Sequence, residues 1–185
     1  MENREVKKRE AKRNLLDGLP PEDALQVLRN LSASDPGLRE RIETEVRKTL
    51  DKVEPGEIAA EVRCDLELIS VEELWDRSGS SRNGYSAPVD MAAEMVEEVL
   101  QPHINRVEEY RKMGMREACG EYCMGVLQGI YLFEHESESE FKGWAADVAA
   151  GCFESLLETW RRGCSRKADL EKMNRFIAKH CPKWA

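Results

Sequence analysis

The stretch that decides the fold is MREACGEYCMGVLQGIYLF, residues 115–133. Its apolar residues recur at intervals of three and four, which is the period of an α-helix. Since it is the most apolar helical segment of the chain, we expect it at the centre of the fold. Gly125 and Gly129 share one face of this helix. Because each glycine costs a soluble helix about 1 kcal/mol relative to alanine, the pair predicts a close crossing with another helix.

Helical spacing continues on both sides of this segment, and no alternating β-branched run of useful length occurs, so the sequence predicts an all-α chain. Successive helices joined by short loops indicate stacked helical hairpins, arranged as an irregular α-solenoid or a compact helical bundle. The remaining helices are expected at about 3–16, 20–31, 36–53, 58–69, 71–78, 88–114 with an interruption at Pro102, 144–163 and 166–179. Ser70 and Glu73 form a capping box at the start of the short one.

Two amphipathic helices are predicted before Pro55, and each has a regular apolar stripe. We expect both stripes to be buried. The residues concerned are Leu25, Val27, Leu28 and Leu31 in the first helix, and Leu38, Ile42, Val46 and Leu50 in the second.

The size and composition of the chain predict one folded domain over residues 1–185. Of the 185 residues 41% are hydrophobic, which is enough for a core. We expect residues 1–17 to form a charged N-terminal helix and residues 161–185 a basic C-terminal helical end. No secretory signal and no run of about 18 apolar residues is present, so we expect a cytoplasmic protein without a membrane span.

Charge is sorted into blocks along the chain. Residues 55–160 carry 22 acidic and 8 basic side chains, whereas residues 161–185 carry 2 acidic and 8 basic ones. In the basic end, Arg161, Arg162, Arg166 and Lys167 lie near Trp160, Phe176 and Trp184. Basic groups among aromatic rings suit nucleic-acid binding, but the same groups suit docking on the acidic middle of this chain or of a second copy.

A polar, glycine-rich loop is predicted over residues 78–87. Arg77, Arg82, Asn83 and Tyr85 gather cations, an amide and a hydroxyl there, as recognition of a phosphate or carboxylate requires. The alternative is structural: Trp75 and Tyr85 attach the loop to the core while Asp76 pairs with an arginine. The glycine spacing is not that of a nucleotide-binding P-loop.

Cysteines and histidines offer one candidate metal site. Cys119 and Cys123 are one helical turn apart, and His103, His135, His180 and Cys181 are further possible ligands. Nothing in the spacing fixes a second ligand pair, and both thiols lie on an apolar stripe, so packing in the core is the favoured interpretation. We therefore expect no metal, no cofactor and no catalytic residues, and residues 134–140 to be an acidic surface linker.

Three short motifs resemble a known helical region. LWDRSG at residues 74–79, Gly84-Tyr85 and GVLQGIY at residues 125–131 are similar to the helical region that follows SWIM-type zinc fingers in prokaryotic proteins. The resemblance covers roughly residues 20–160 and implies an accessory helical module. The Cys-x-Cys and Cys-x-His pairs of the finger are absent, so no nucleic-acid or protein contacts carry over to particular residues.

These observations favour a non-enzymatic helical module that binds a protein partner or a second copy of itself. A nucleic-acid-associated accessory protein that uses the basic end is the alternative. A metal-binding or enzymatic helical protein is the third class.

Overall fold

The computed structural model describes residues 18–81 and 84–185, and over these the fold is all-α as predicted. The helix expected at residues 3–16 lies outside the described residues. The elements are α1 Pro21–Ser34, α2 Pro36–Leu50, α3 Pro55–Glu67, α4 Val71–Arg77, β1 Gly79–Ser81, β2 Gly84–Ser86, α5 Pro88–Lys112, α6 Arg116–Glu136, α7 Val148–Gly163 and α8 Lys167–His180, with short 3₁₀ turns at Glu140–Gly143 and Pro182–Trp184.

The chain divides into two units, Met1–Thr49 and Leu50–Ala185, where the sequence predicted a single domain. In the first, hereafter the N-terminal unit, α1 and α2 meet at Asp35, which is in an extended conformation. The Asp35 carboxylate caps α2 by accepting a hydrogen bond from the Gly37 amide at 2.8 Å. With this single extended residue between them, the two helices do not pack side by side.

The predicted burial of the apolar stripes in the N-terminal unit is wrong. Over residues 21–50 neither helix contains a buried residue. The reason is that the two helices diverge at Asp35, so neither stripe covers the other. The exposed side chains are Leu25, Val27, Leu28, Leu31 and Val46, at 40–47% relative exposure, while Leu38, Ile42 and Leu50 are half-buried.

The second unit, hereafter the body, is built around α6, which packs against α3, α5, α7 and α8. This confirms the central place predicted for residues 115–133. The predicted close crossing is also confirmed, and its partner is α3. A Cβ added to Gly125 would lie 2.6 Å from the Cβ of Ile58 and 2.7 Å from the carbonyl oxygen of Pro55. Only glycine lets the two helices approach so closely.

Helix α5 runs without a break through Pro102, where the sequence predicted a kink or a new start. Proline lacks the amide hydrogen that would bond to the carbonyl of Glu98, four residues earlier. Both Pro102 and Glu98 lie on the exposed side of the helix, so water can satisfy that carbonyl. The helix therefore tolerates the proline.

The link between α6 and α7 is more ordered than the predicted acidic linker. Helix α6 continues to Glu136, and the following 3₁₀ turn places Phe141 fully inside the core. Trp144 was expected within the next helix, but α7 begins only after Asp147, whose left-handed backbone (φ 64°) ends the turn. The acidic residues at 134–140 thus lie next to Phe141, a buried residue that holds this link against the core.

Candidate functional site

The predicted anion-binding loop is a two-stranded antiparallel hairpin, in which Gly79 pairs with Ser86. Arg82 and Asn83 lie outside the described residues. Arg77 does not offer a free cation, because its guanidinium makes two hydrogen bonds to the Glu98 carboxylate, at 2.7 and 2.8 Å. This pair raises the pKa of Arg77 and lowers that of Glu98. The positive charge that would attract an anion to Arg77 is therefore neutralised by Glu98.

The structural alternative for this loop fails at its two aromatic residues. Tyr85 is 70% exposed and Trp75 is 52% exposed, so neither attaches the hairpin to the core. Trp75 instead makes an edge-to-face contact with Trp144, with ring centroids 5.0 Å apart. Arg77 pairs with Glu73 and Glu98, and Arg82, the other arginine near Asp76, lies outside the described residues.

The four predicted binding residues of the basic end have different surroundings. Arg161 donates to the Asn174 side chain at 2.9 Å, and Arg162 donates weakly to Thr159 at 3.4 Å. Lys167 extends into solvent with 90% of its side chain exposed, and its nearest carboxylate is 3.7 Å away. Lys172, a further residue of the basic end, joins α8 to Glu121 of α6 at 3.0 Å. One residue of the basic end thus pairs with an acidic residue of α6.

Trp160 and Trp184 of the basic end are packed within the fold, whereas Phe176 is half-buried and stacks on His180. Trp160 is only 8% exposed. The Trp184 ring packs against the rings of Tyr131, His135 and Phe153, with centroids 4.9–5.4 Å away. Single-strand binding by base stacking requires accessible rings, and these rings stabilise the C-terminal end of the fold instead.

Arg166 lies in a concave surface that the sequence did not reveal. Two neighbouring cavities, of about 230 and 290 Å³, share Arg116, Trp160, Arg166 and Asp169 in their walls. Neither arginine has an ion pair within the part of the chain that the structure describes, while the Asp169 carboxylate offsets part of their charge. Arg116 begins α6 and Arg166 precedes α8, so only the packing of these helices brings the two together.

The candidate metal ligands do not converge. Within residues 18–81 and 84–185, no group of three or more His, Cys, Asp or Glu side chains is arranged to hold a metal ion. Cys119 and Cys123 are core residues, as the sequence favoured, with relative exposures of 5% and 0%. Burial raises the pKa of Cys119 to about 11 and raises the pKa of Cys123 well above its ordinary value, so both are held as thiols.

His103, one of those candidate ligands, belongs to a row of three hydrogen-bonded side chains inside the body. Its Nε2 lies 2.9 Å from Asp65 of α3, and its Nδ1 lies 3.2 Å from the Tyr122 hydroxyl of α6. Burial raises the pKa of Tyr122 to about 12, so this phenol keeps its proton. The three side chains satisfy one another's hydrogen bonds where α3, α5 and α6 meet. We therefore interpret the cluster as a stabilising contact of the core and not as a metal site. Sequence reasoning missed it because the partners are 38 and 19 positions away.

An open cleft of about 430 Å³ separates α5 from α7. Its apolar surface comes from Leu100, Ile104, Val107, Val148, Cys152, Leu156 and Trp160. Gly151 of α7 widens it, since a Cβ there would meet no atom within 4 Å. On the rim, Glu108 pairs with Arg111, whereas Glu97 has no ion pair among the described residues. The cleft is therefore an apolar groove with an acidic edge.

Comparisons with known proteins leave the function to be inferred from this geometry: no family model matches the sequence, and neither the curated proteins nor the solved structures give a significant match. The resemblance to the helical region after SWIM-type zinc fingers stays a prediction. No helix in the described part of the chain is both long and apolar enough to span a membrane.

Proposed function

We propose that this chain is a non-enzymatic helical interaction module that associates with a second copy of itself. The observation that carries the proposal is the apolar face of α1, which stays exposed among the described residues of the N-terminal unit. Leu25, Leu28 and Leu31 follow one another at three-residue intervals along α1, and each keeps 40–47% of its surface exposed. Contiguous exposed apolar surface of this kind is typical of sites that bind another protein.

Energetics support a partner for these helices. Short helical segments gain most of their stability from the packing of an apolar face. Covering the remaining surface of each exposed leucine is worth about 1 kcal/mol. The three leucines of α1 therefore supply a useful part of a micromolar affinity.

Charge disfavours nucleic acid as the partner. The chain has a net charge of -8, which repels a polyanion at long range. Trp160 and Trp184, two of the rings that would stack on bases, are packed within the body. Raised thiol pKa values likewise disfavour a cysteine nucleophile, because the thiolate is the reactive form.

Sedimentation equilibrium of the full chain from about 1 to 100 μM tests this function. We expect a reversible, concentration-dependent dimer. Leu28→Asp should weaken it at least tenfold, because the new carboxylate would be buried without a partner. Asn30→Asp adds the same charge on the polar side of α1 and should leave the dimer intact.

A chain that stays monomeric over this whole range would overturn the proposal. Salt-sensitive binding of the unmodified chain to a single- or double-stranded oligonucleotide, lost when Arg161, Arg162, Arg166 and Lys167 are changed to glutamate, would favour the nucleic-acid alternative.

A further inference from the structure

We infer that the cleft between α5 and α7 binds a small organic amine, with the apolar part of the ligand between the two helices and its ammonium group beside Glu97. This is a binding function of its own, and it does not depend on the proposed self-association. Every residue that forms the cleft belongs to the body. The size of the cleft, its apolar wall and the position of its charges support this ligand class.

The size of the cleft fits a small molecule and not a helix. Its volume of about 430 Å³ falls within the usual range of small-molecule sites. Two turns of an α-helix, about 10 Å wide and about 11 Å long, would occupy roughly twice that volume. Gly151 contributes to the space, because no atom lies within 4 Å of the position that its Cβ would take. A ligand of one ring and a short alkyl chain therefore has room between α5 and α7.

The two helices run in the same direction along the cleft, so the cleft has two different ends. Near the start of α7 lies the Cys152 thiol, whose pKa is raised first by burial and then by the negative charge of Glu97. Near the end of α7, a Cβ added to Gly163 would lie 3.1 Å from the Nη1 atom of Arg111. Glu97 and Arg111 stand at opposite ends of this surface, with about 21 Å of α5 between them.

Only the Glu97 end of the cleft keeps an unpaired charge. Arg111 is the one cation that lines the cleft among the described residues, and it pairs with Glu108. Glu97 has no ion pair within the part of the chain that the structure describes, and Gln101, next to it in the wall, is neutral. An ammonium group placed here would gain a charge-assisted hydrogen bond. An unpaired carboxylate at the edge of an apolar surface thus favours a cation that carries an apolar group.

Between its two ends the cleft has an apolar wall. The residues that form it are Leu100, Ile104, Val107, Cys152, Leu156 and Trp160. From Leu100 to Val107 this surface extends about 10 Å along α5, which is long enough for the ring and chain of an arylalkylamine. The charge of the whole body also favours a cation over an anion, because residues 51–185 carry 26 acidic and 17 basic side chains.

Three matched ligands test the inference: phenylbutylamine, phenylbutanol and phenylbutyrate. They share one apolar part and differ in the charge of the head group. By isothermal titration calorimetry near neutral pH, we expect the amine to bind the unmodified chain at least tenfold more tightly than the alcohol, and the carboxylate to bind more weakly than the alcohol. No saturable binding of the amine up to about 5 mM, or equal affinity for all three ligands, would overturn the inference.

Glu97→Gln tests the position of the ammonium group, because it removes the charge and keeps the size of the side chain. The preference for the amine over the alcohol should fall below about threefold, while the affinity for the alcohol stays unchanged. Glu154→Gln is the matched control, since it removes an exposed carboxylate of α7 that does not line the cleft, and it should keep the preference. A preference that survives in Glu97→Gln, or that falls equally in both variants, would overturn the placement of the amine beside Glu97.

Gly151→Phe tests the apolar part of the site. A Cβ at residue 151 has free space, and glycine is unfavourable within a helix, so the fold should be retained or slightly stabilised. We expect the added ring to occupy the cleft and to weaken the binding of both the amine and the alcohol at least tenfold. Gly151→Ala leaves most of the cleft open and should bind both ligands like the unmodified chain. Undiminished binding by a Gly151→Phe chain whose Tm is unchanged or higher would show that the ligand binds elsewhere and would overturn the inference.

Discussion

Gly129 lies so close to Val62 that a Cβ built on the glycine would come within 2.6 Å of the valine Cβ. The same atom would lie 2.8 Å from the carbonyl oxygen of Ala59, which belongs to the backbone of α3 and cannot rotate away. The contact surface between α3 and α6 is thus set by two backbones and not by interlocking side chains.

Gly129→Ala should therefore destabilise the protein although alanine is the better helix former. The propensity gain is about 1 kcal/mol, but separating two packed helices costs more, and we expect a net loss of about 1–3 kcal/mol in the free energy of unfolding. Gly151→Ala is the matched control, since its Cβ has free space and it should gain up to about 1 kcal/mol. Urea denaturation measures both, and a stabilised Gly129→Ala variant would contradict the crossing.

Stability should fall above pH 9 in reducing buffer. Burial raises the pKa of Cys119 to about 11 and that of Cys181 to about 12, from an ordinary value of 9.0. Above pH 9 the unfolded chain releases these protons while the folded chain keeps them, so the unfolded state gains stability with each step in pH. The contribution of these two thiols to the free energy of unfolding is fully present below pH 9 and is lost progressively towards pH 12.

Cys181→Ala tests this dependence through the slope of Tm against pH. The variant loses packing at every pH, but its Tm should decline less steeply between pH 9 and 10.5 than that of the unmodified chain. Val126→Ala removes buried apolar volume without a titrating group, so its slope should match the unmodified one. Equal slopes in all three proteins would show that Cys181 does not have the raised pKa.

The ion pair between Lys172 and Glu121 should be the part of the basic end that matters for stability. Lys172→Glu places two carboxylates together at the α8–α6 contact, and we expect a loss of about 1 kcal/mol. Lys167→Glu changes the same charge on a side chain that is 90% exposed and should change stability by less than about 0.5 kcal/mol.

A charge exchange provides the control for this pair. The double change Lys172→Glu with Glu121→Lys restores opposite charges and should recover most of the stability lost in thermal denaturation. Failure of the exchange to recover any stability would show that the two residues do not interact in solution.

Tyr122→Phe should cost about 1–2 kcal/mol, because it removes the hydroxyl that pairs with the buried Nδ1 of His103. The shape of the ring is kept, so the loss reports the hydrogen bond. Tyr85→Phe, on the 70% exposed ring of the hairpin, is the control and should leave the urea midpoint unchanged. Equal midpoints for both variants would mean that His103 finds another partner.

Features that depend on neighbours in the sequence were predictable. The Ser70 hydroxyl accepts a hydrogen bond from the Glu73 amide at 3.0 Å, as the capping box predicted, because cap geometry is fixed within four residues. The crossing at Gly125 and Gly129 was predictable for a different reason. Two glycines on one face of a stable helix need a compensating contact, although the sequence did not identify α3 as the partner.

Features that depend on which surfaces meet were not predictable. The stripe of Leu25, Leu28 and Leu31 indicates which side of α1 is apolar, but periodicity carries no information on whether anything covers that side. The cleft between α5 and α7 could not be predicted either, because the packing of the whole core sets the distance between these two helices. The His103–Asp65 contact joins positions 38 residues apart, and no local rule links them.

The crossing of α3 with α6 also bears on how the chain is made. Ala59 and Gly129, which meet in the finished protein, are separated by about 70 residues, so α3 leaves the ribosome several seconds before the helix that covers it has been synthesised. During that interval the face carrying Val62 and Leu66 is open to other nascent chains. Chaperone dependence during translation, and slow refolding from denaturant, are therefore expected of a helical fold whose central helix follows its partner by about 70 residues.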